Sequence, residues 1–197
     1  MTGHSLIRNA GGLWDEATRS PFLDAIAAGS LALHAFRRWL SQDYLFARDL
    51  MAFQAVLLAK APRHCQERLI GGLAALEGEL TWFESRAARE QLALDVVPHQ
   101  ACRRYTDFLI RCAYTQPYSV LLAMLFGVEA AYLTAWSALR PSGPYAEFVE
   151  RWSSPPFAAY VAALGDLATR YPHAAAQEHF NEVLDHEREF WRMSWEG

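Results

Sequence analysis

The sequence predicts an all-α protein on three observations. Apolar residues recur at intervals of three and four along most of the 197 residues, which is the period of an amphipathic helix. Proline and glycine divide the chain into stretches long enough for helices, and no stretch alternates apolar and polar residues as a strand would. The chain contains no repeat and no long linker. We therefore expect residues 1–197 to form one domain, a helical bundle of about seven to eight helices.

The order of the helices follows from the positions of proline, glycine and serine. Ser20 and Pro21 have the form of an N-cap followed by proline at the first helical position, and Ser154 with Pro155 repeats that form. Gly29 marks the end of the first of these helices. The predicted helices are 20–29, 30–61, 62–90, 98–114, 118–139, 144–152, one that opens at 154, and 171–195.

Charge and cysteine content argue against several classes of protein. The formal net charge is −4, and the chain shows no basic stripe of the kind that binds nucleic acid. Cys65, Cys102 and Cys112 are odd in number and form no CxxC pair, which is typical of a reducing compartment. The stretch 1–13 lacks the charged start and apolar run of a signal peptide. We expect a cytoplasmic protein that does not bind nucleic acid.

The stretch 118–139 is apolar enough to raise the question of a membrane span. Glu129 lies near its centre, however, and a carboxylate at the middle of a span is costly in lipid. A central helix of a bundle, buried by its neighbours, explains the same composition. We therefore expect this helix to lie in the protein core and the protein to make no membrane contact.

Three predicted helices each carry one carboxylate in the middle of an apolar stripe. Asp43, Glu129 and Glu187 hold these positions, and Tyr105 interrupts the stripe of helix 98–114 in the same way. A buried carboxylate destabilises a fold unless it is hydrogen-bonded or takes up a proton. A tyrosine, tryptophan or arginine could satisfy any one of these acids, which would then serve structure only. Three together indicate a functional site, because buried acids cluster at such sites.

These residues and their order resemble the TenA (thiaminase II) family. The motifs that carry the resemblance are Pro21-Phe22, the Gly29 stop, Gln42-Asp43-Tyr44, Ala59-Lys60-Ala61 and the closing Glu187-Arg188-Glu189-Phe190-Trp191. The resemblance covers nearly the whole chain, although outside these motifs it rests on helix order and spacing. It implies the haem-oxygenase-like helical fold and a homotetramer.

The resemblance also implies roles for particular residues in binding an aminopyrimidine. Asp43 matches the aspartate that binds the ring nitrogen and the amino group of the pyrimidine. Tyr105 and Tyr132 match tyrosines of the same pocket. Glu187 matches the glutamate that delivers or accepts the proton. The remaining residues assigned to substrate binding are Tyr44, which follows Asp43 in its motif, and Phe46 and Trp152, which stand where the family has ring-stacking tyrosines.

The main departure from the family pattern concerns the nucleophile. Thiaminase-type members carry cysteine in a Leu-Pro-Cys segment, and the matching position here is Val128, within Phe126-Gly127-Val128-Glu129. None of the three cysteines lies on this helix, so covalent thiolate catalysis has no obvious residue to support it. The chain resembles the subgroup that lacks this cysteine, in which a glutamate takes over part of its place. Glu129 is the natural candidate for that glutamate.

The implied function is an aminopyrimidine hydrolase of thiamin salvage. It would remove an amino or formylamino group from a thiamin breakdown product by acid–base chemistry. In this interpretation Glu129 or Glu187 activates water while Asp43 polarises the ring. The expected partner is a small aminopyrimidine, and we expect neither a cofactor nor a metal.

Two other functions stay open. One is a carboxylate-bridged di-metal oxidase on the same scaffold, since His179 and His186 lie two turns apart, as do Glu77 and Glu84. No Glu-x-x-His motif, the usual ligand pair of such proteins, occurs in the sequence. The other is a non-catalytic binding or regulatory protein. Such a protein would keep the residues that bind the ligand but would lack the nucleophile.

Overall fold

The computed structural model describes residues 4–140 and 143–196 and consists of helices and their connections. Within these residues there is no strand, which confirms the all-α prediction. A 3₁₀ turn at Gly143–Tyr145 leads into α8. The α-helices are α1 Ser5–Ala10, α2 Gly12–Thr18, α3 Pro21–Ala27, α4 Leu33–Lys60, α5 Arg63–Glu90, α6 Gln100–Thr115, α7 Tyr118–Ser137, α8 Ala146–Trp152, α9 Pro155–Arg170 and α10 Ala176–Glu196.

Two short helices precede the eight that the sequence predicted. They contain six and seven residues, too few for a repeating apolar period, and Gly11 separates them with a positive φ of 56°. The Nδ1 atom of His4 starts α1 by accepting a hydrogen bond from the backbone N–H of Leu6 at 3.2 Å. Trp14 of α2 stacks on Phe180 of α10. The first three residues of the stretch 1–13, which lacks a signal-peptide pattern, lie outside the described residues.

Two of the long helices begin later than predicted. α4 begins at Leu33 instead of residue 30, because the backbone N–H groups of Ser30 and Leu31 both donate to the Ala25 carbonyl and wrap the chain around the end of α3. α10 begins at Ala176 instead of residue 171. There the Nδ1 atom of His173 accepts from the Ala175 N–H at 3.1 Å and holds a turn ahead of the helix.

α7 is the central helix of the bundle. It is long and apolar enough to cross a membrane by length and composition, but 78% of its apolar 18-residue stretch is buried inside the protein. It packs against α10, α9, α4, α2 and α8. Burial on all sides explains why its sequence shows little distinction between an apolar and a polar face.

Four tryptophans gather where α4, α7, α8 and α10 meet. Trp136 lies 4.6 Å from Trp152 and 5.6 Å from Trp39 between ring centroids, and Trp191 is 6.3 Å from Trp39. All four are nearly or fully buried. Aromatic pairs at these separations stabilise beyond their burial alone. Two members of this tryptophan cluster, Trp152 and Trp191, line the neighbouring cavity.

Two adjacent glycines of α5 differ sharply in their surroundings. A Cβ at Gly72 would overlap the hydroxyl and ring of Tyr160 on α9, whereas a Cβ at Gly71 would meet nothing within 4 Å. Gly72 therefore allows α9 to approach α5 at this point.

We predict opposite effects on stability for alanine at these two positions. Gly71→Ala raises the free energy of unfolding by about 0.5–1 kcal/mol, because alanine favours the helix. Gly72→Ala lowers it by about 1–3 kcal/mol through overpacking. Urea denaturation of both variants measures the difference, and equal effects would contradict the close approach of Tyr160.

Candidate active site

A cavity of about 680 Å³ lies beside the tryptophan cluster and is lined by residues from α4 to α10. Its inner part carries the buried acids and aromatic rings. Its outer part lies between α5 and α9, where Arg68, Gly71, Ala75, Pro156 and Ala159 are exposed. The cavity therefore opens to solvent between these two helices, and its volume is in the range of small-molecule sites.

Besides the exposed Glu67, four carboxylates from four different helices line this one cavity. Asp43 comes from α4, Glu79 from α5, Glu129 from α7 and Glu187 from α10. Asp43 and Glu187 are 6% and 5% exposed. Glu79 and Glu129 keep more accessible surface because part of each side chain faces the cavity. Helical periodicity places these acids inside, since each lies within the apolar stripe of its helix.

Each carboxylate accepts a hydrogen bond from a neutral donor. The Tyr132 hydroxyl donates to Asp43 Oδ2 at 3.0 Å, and the Tyr105 hydroxyl donates to Glu187 Oε1 at 2.7 Å. The Gln54 side-chain amide donates to Glu129 Oε1 at 3.3 Å. The Trp152 indole N–H donates to Glu79 Oε1. No ion pair involves any of the four acids in the described part of the chain.

Burial raises the pKa of all four acids, and for Glu79 the positive charge of Arg151 opposes that rise. Removal from water raises the pKa of Glu129 to about 8, with further contributions from the charges of Glu79 and Glu187. Burial also raises the pKa of Glu187 to about 8, against the opposing effect of the Tyr105 hydrogen bond. The pKa of Asp43 is raised first by burial and then by Glu79, and burial raises the pKa of Glu79 itself. Such acids can hold or release a proton near neutral pH, as acid–base catalysis requires.

The structure brings seven of the eight sequence-predicted site residues to this cavity. Besides Asp43, Glu129 and Glu187, these are Phe46, Tyr105, Tyr132 and Trp152. Phe46 packs against Tyr105 with ring centroids 4.7 Å apart, and Trp152 lies edge-to-face on Tyr132 at 5.4 Å. Phe46 and Trp152 thus provide apolar ring surface beside the polar groups that hydrogen-bond Asp43 and Glu187.

Tyr44 is the exception and does not line the cavity. Consecutive residues of a helix point about 100° apart, so the residue after the inward-facing Asp43 faces elsewhere. The Tyr44 hydroxyl donates to Glu84 Oε1 at 2.9 Å, and its ring packs edge-to-face on Phe83. In this structure Tyr44 therefore joins α4 to α5 outside the cavity, apart from the other residues assigned to substrate binding.

Glu79 is a cavity residue that the sequence argument missed. The apolar stripe of α5 is thin, with Leu69, Leu76 and Phe83 spaced seven residues apart as its main buried members. Glu79 lies three residues after Leu76 and four before Phe83, which is the middle of that stripe. Its mid-stripe position matches that of the other three acids, but the neighbouring glutamates of α5 make it hard to distinguish in the sequence.

Val128 lines the cavity at the position where the family resemblance places a cysteine. Its side chain carries no nucleophilic atom. The three cysteines are buried elsewhere, and none lines the cavity. Burial, with Asp43 and Asp49, raises the pKa of Cys102 to about 12, so this thiol is inert at neutral pH.

The residues considered for a di-metal site do not converge. His186 stacks on Tyr105 at 5.0 Å, His179 contacts the Ala175 carbonyl, and Glu84 accepts from Tyr44. Glu77 is exposed and accepts from Thr81. Among the described residues, no group of three or more His, Cys, Asp or Glu side chains is arranged to hold a metal ion.

We predict that the protein loses stability as the pH rises from about 5 to about 9. The folded-state pKa of Glu129 and of Glu187 lies above the unfolded value, so the folded state binds more protons in this window. Their favourable contribution is complete below the unfolded pKa and disappears as the pH passes about 8. Glu129→Gln and Glu187→Gln should each weaken the dependence of the free energy of unfolding on pH. Urea denaturation across the pH range measures this dependence. Unchanged slopes in both variants would contradict the raised pKa values.

Comparisons with known proteins agree with this architecture. The profile of the TENA/THI-4/PQQC family matches residues 7–197. A Glycine max protein described as "Probable bifunctional TENA-E protein" is 32% identical over 201 residues, which span 92% of this chain and 88% of the soybean protein. A TenA homologue from Pyrococcus furiosus, known from an X-ray structure, is 26% identical with a TM-score of 0.92. That match covers 99% of this chain and all of the archaeal one.

A further structure shows the same fold at lower identity. It is described as a TenA family transcription regulator from Silicibacter sp. TM1040, is 20% identical and has a TM-score of 0.89, with 98% of this chain and 95% of that chain covered. At this identity the likeness concerns the fold alone. The family profile and the soybean relative both extend over nearly the whole chain, and the protein therefore belongs to the TENA/THI-4/PQQC family.

Proposed function

We propose that this protein is a hydrolase of thiamin salvage that cleaves a C–N bond of a small aminopyrimidine by carboxylate acid–base chemistry. The observation that carries the proposal is the set of four carboxylates with neutral hydrogen-bond donors around one cavity that no thiol lines. Family membership, and a relative described as a bifunctional TENA-E protein, support an enzymatic role. We place the chain in the subgroup that works without the active-site cysteine.

Asp43 is the proposed anchor for the pyrimidine ring. An aminopyrimidine presents a ring nitrogen and an exocyclic amino group side by side, and a carboxylic acid can donate to the first while accepting from the second. The raised pKa of Asp43 makes the protonated form accessible, and the Tyr132 hydroxyl holds its Oδ2 atom. Phe46 and Trp152 supply ring surface on which the pyrimidine can stack.

Glu129 and Glu187 are the proposed acid–base pair. Hydrolysis of an aminomethyl group breaks the C–N bond, forms a C–O bond from water and releases the nitrogen as ammonium. One carboxyl group keeps the leaving nitrogen protonated and the other accepts a proton from the attacking water. The pKa of each is raised to about 8, and the charge of Glu187 contributes to the shift of Glu129. Near pH 8 such a pair loses one of its two protons and then contains both an acid and a base.

We predict that stability and turnover move in opposite directions in Glu129→Gln and Glu187→Gln. Glutamine is isosteric, so its side-chain oxygen can still accept from Gln54 or from Tyr105, while the cost of burying an ionisable group disappears. The melting temperature should stay the same or rise. Release of ammonia from a 4-amino-5-aminomethylpyrimidine should fall by about two or more powers of ten.

The control is Glu77→Gln, which makes the same chemical change at an exposed glutamate outside the cavity. This variant should leave the melting temperature and the turnover unchanged. If stability and turnover fall together in the cavity variants, the two acids serve the fold. Full turnover in both variants would exclude acid–base catalysis at these positions.

A further inference from the structure

Gln54 is a buried polar side chain on the face of α4 that leads to the cavity. Asp43, Ala47 and Leu50 line the cavity from α4, and Gln54 follows on the same face, one turn after Leu50. Gln54 is 2% exposed and does not line the cavity. Its Nε2 atom donates to Glu129 Oε1 at 3.3 Å, so the amide reaches Glu129 from outside the cavity.

The amide oxygen of Gln54, Oε1, is buried and has no hydrogen-bond partner among the residues that the structure describes. An amide oxygen left in this way is costly unless a donor lies beside it. Glu129 can supply that donor, because a protonated carboxyl group carries one O–H and keeps an acceptor. A carboxylic acid and a primary amide can pair side by side through one N–H and one O–H hydrogen bond. The N–H bond of such a pair is the one observed.

We infer that Gln54 is a positioning residue that holds the proton of Glu129: Glu129 Oε2 donates to Gln54 Oε1 while Gln54 Nε2 donates to Glu129 Oε1. The inference rests on the proposed function and deepens it, because it makes Glu129 the acid and Glu187 the base of the proposed pair.

Ionisation of Glu129 breaks this pairing. Loss of the proton leaves Glu129 Oε2 and Gln54 Oε1 side by side, two oxygens that both carry negative charge. Gln54 therefore stabilises the protonated form of Glu129 more than the ionised form. Burial and the charges of Glu79 and Glu187 act in the same direction and raise the pKa of Glu129.

Glu187 has a partner of the opposite kind. The Tyr105 hydroxyl donates to Glu187 Oε1 at 2.7 Å, and this hydrogen bond opposes the rise in the pKa of Glu187 that burial causes. Burial raises the pKa of Tyr105 well above its ordinary value, so the phenol keeps the proton that it donates. The first proton of the pair therefore leaves Glu187, and Glu129 retains its own.

The ionisable groups around Glu129 lie on several helices. Those that act on Glu129, or respond to its charge, are Glu79 on α5, Tyr105 on α6, Tyr160 on α9 and Glu187 on α10. On α4, Asp43 is bound to Tyr132, and on α8, Arg151 acts on Glu79. The raised pKa values of Tyr105 and Tyr160 keep both phenols neutral near pH 8. The charges that change around Glu129 near this pH are therefore those of acids, and they disfavour its ionisation.

The first test follows two signals of the wild-type protein by carbon-13 NMR as the pH rises from about 6 to about 10. The sample is labelled at the side-chain carbonyl groups of glutamate and glutamine, and Glu129→Gln and Gln54→Met assign the signals. The Gln54 carboxamide and the Glu129 carboxyl signals should move together, after Glu187 has begun to titrate. A Gln54 signal that stays in place while Glu129 titrates would overturn the inference.

Gln54→Met tests the direction of the effect. Methionine has a similar length and neither a strong donor nor a strong acceptor, so the protonated form of Glu129 loses its acceptor and the ionised form loses the opposing oxygen. The midpoint of Glu129 should fall by about one pH unit, a tenfold loss of proton affinity. An amide that only donates to the carboxylate predicts a rise instead. A midpoint that rises or does not move contradicts the inference.

The pH profile of turnover tests the assignment of acid and base. The substrate is 4-amino-5-aminomethylpyrimidine, and the measurement is its release of ammonia. In Gln54→Met the alkaline limb of kcat, which reports the acid, should move down by about one pH unit. KM should change by less than about twofold, because Gln54 does not line the cavity. If the acidic limb moves and the alkaline limb does not, the two roles are reversed and the inference is wrong.

Gln177 on α10 provides the matched control. Its Oε1 atom is also buried without a partner among the described residues, but its Nε2 atom donates to the Leu6 carbonyl and to Asn181 Oδ1. Gln177→Met should leave the midpoint of Glu129 and the pH profile unchanged. If it shifts them as Gln54→Met does, a general change in the core accounts for the effect and the inference is wrong. If the wild-type protein releases no ammonia, the proposed function fails, and the carbon-13 signals still decide whether Gln54 pairs with Glu129.

Discussion

The cost of removing carboxylates from water dominates this structure. Four acids withdrawn from solvent, Asp43, Glu79, Glu129 and Glu187, lie around one cavity, and no ion pair to any of them occurs in the described residues. Neutral donors offset part of that cost: two tyrosines, a glutamine amide and an indole N–H each hold one carboxylate. The remainder appears as raised pKa values, since a buried acid that cannot find a cation keeps its proton. The burial of a large aromatic core supplies the free energy that offsets what remains of this cost.

The helical architecture explains how the acids meet. α7 passes through the centre of the bundle, so Glu129 and Tyr132, one turn apart, reach the cavity from its inner wall. α4, α5 and α10 supply Asp43, Glu79 and Glu187 from three sides. The space that Gly72 leaves for Tyr160 lets α9 approach α5 next to the opening. Val128, where the family resemblance places a cysteine, lines the cavity without a nucleophilic atom.

The sequence predicted the long helices and most of the cavity residues for the same physical reason. An acid at mid-stripe, such as Asp43 or Glu187, must face inward if its helix is to bury its apolar side. The short helices α1 and α2 carry too few residues to show a period, and a histidine side chain caps the first of them. Tyr44 was misplaced because membership of a motif says nothing about the direction of a side chain. Glu79 was not predicted because the apolar stripe of α5 is narrow. An inward-facing glutamate in it is hard to distinguish from the surface glutamates of the same helix.

The central claim is that Glu129 and Glu187 hold protons at neutral pH in the free protein. Carbon-13 NMR of a sample labelled at the glutamate carboxyl groups measures this directly, with Glu129→Gln and Glu187→Gln used to assign the two signals. The account predicts that both titrate with midpoints near pH 8, displaced from ordinary glutamates by burial. Titration of both signals below about pH 5, together with the surface glutamates, would contradict it.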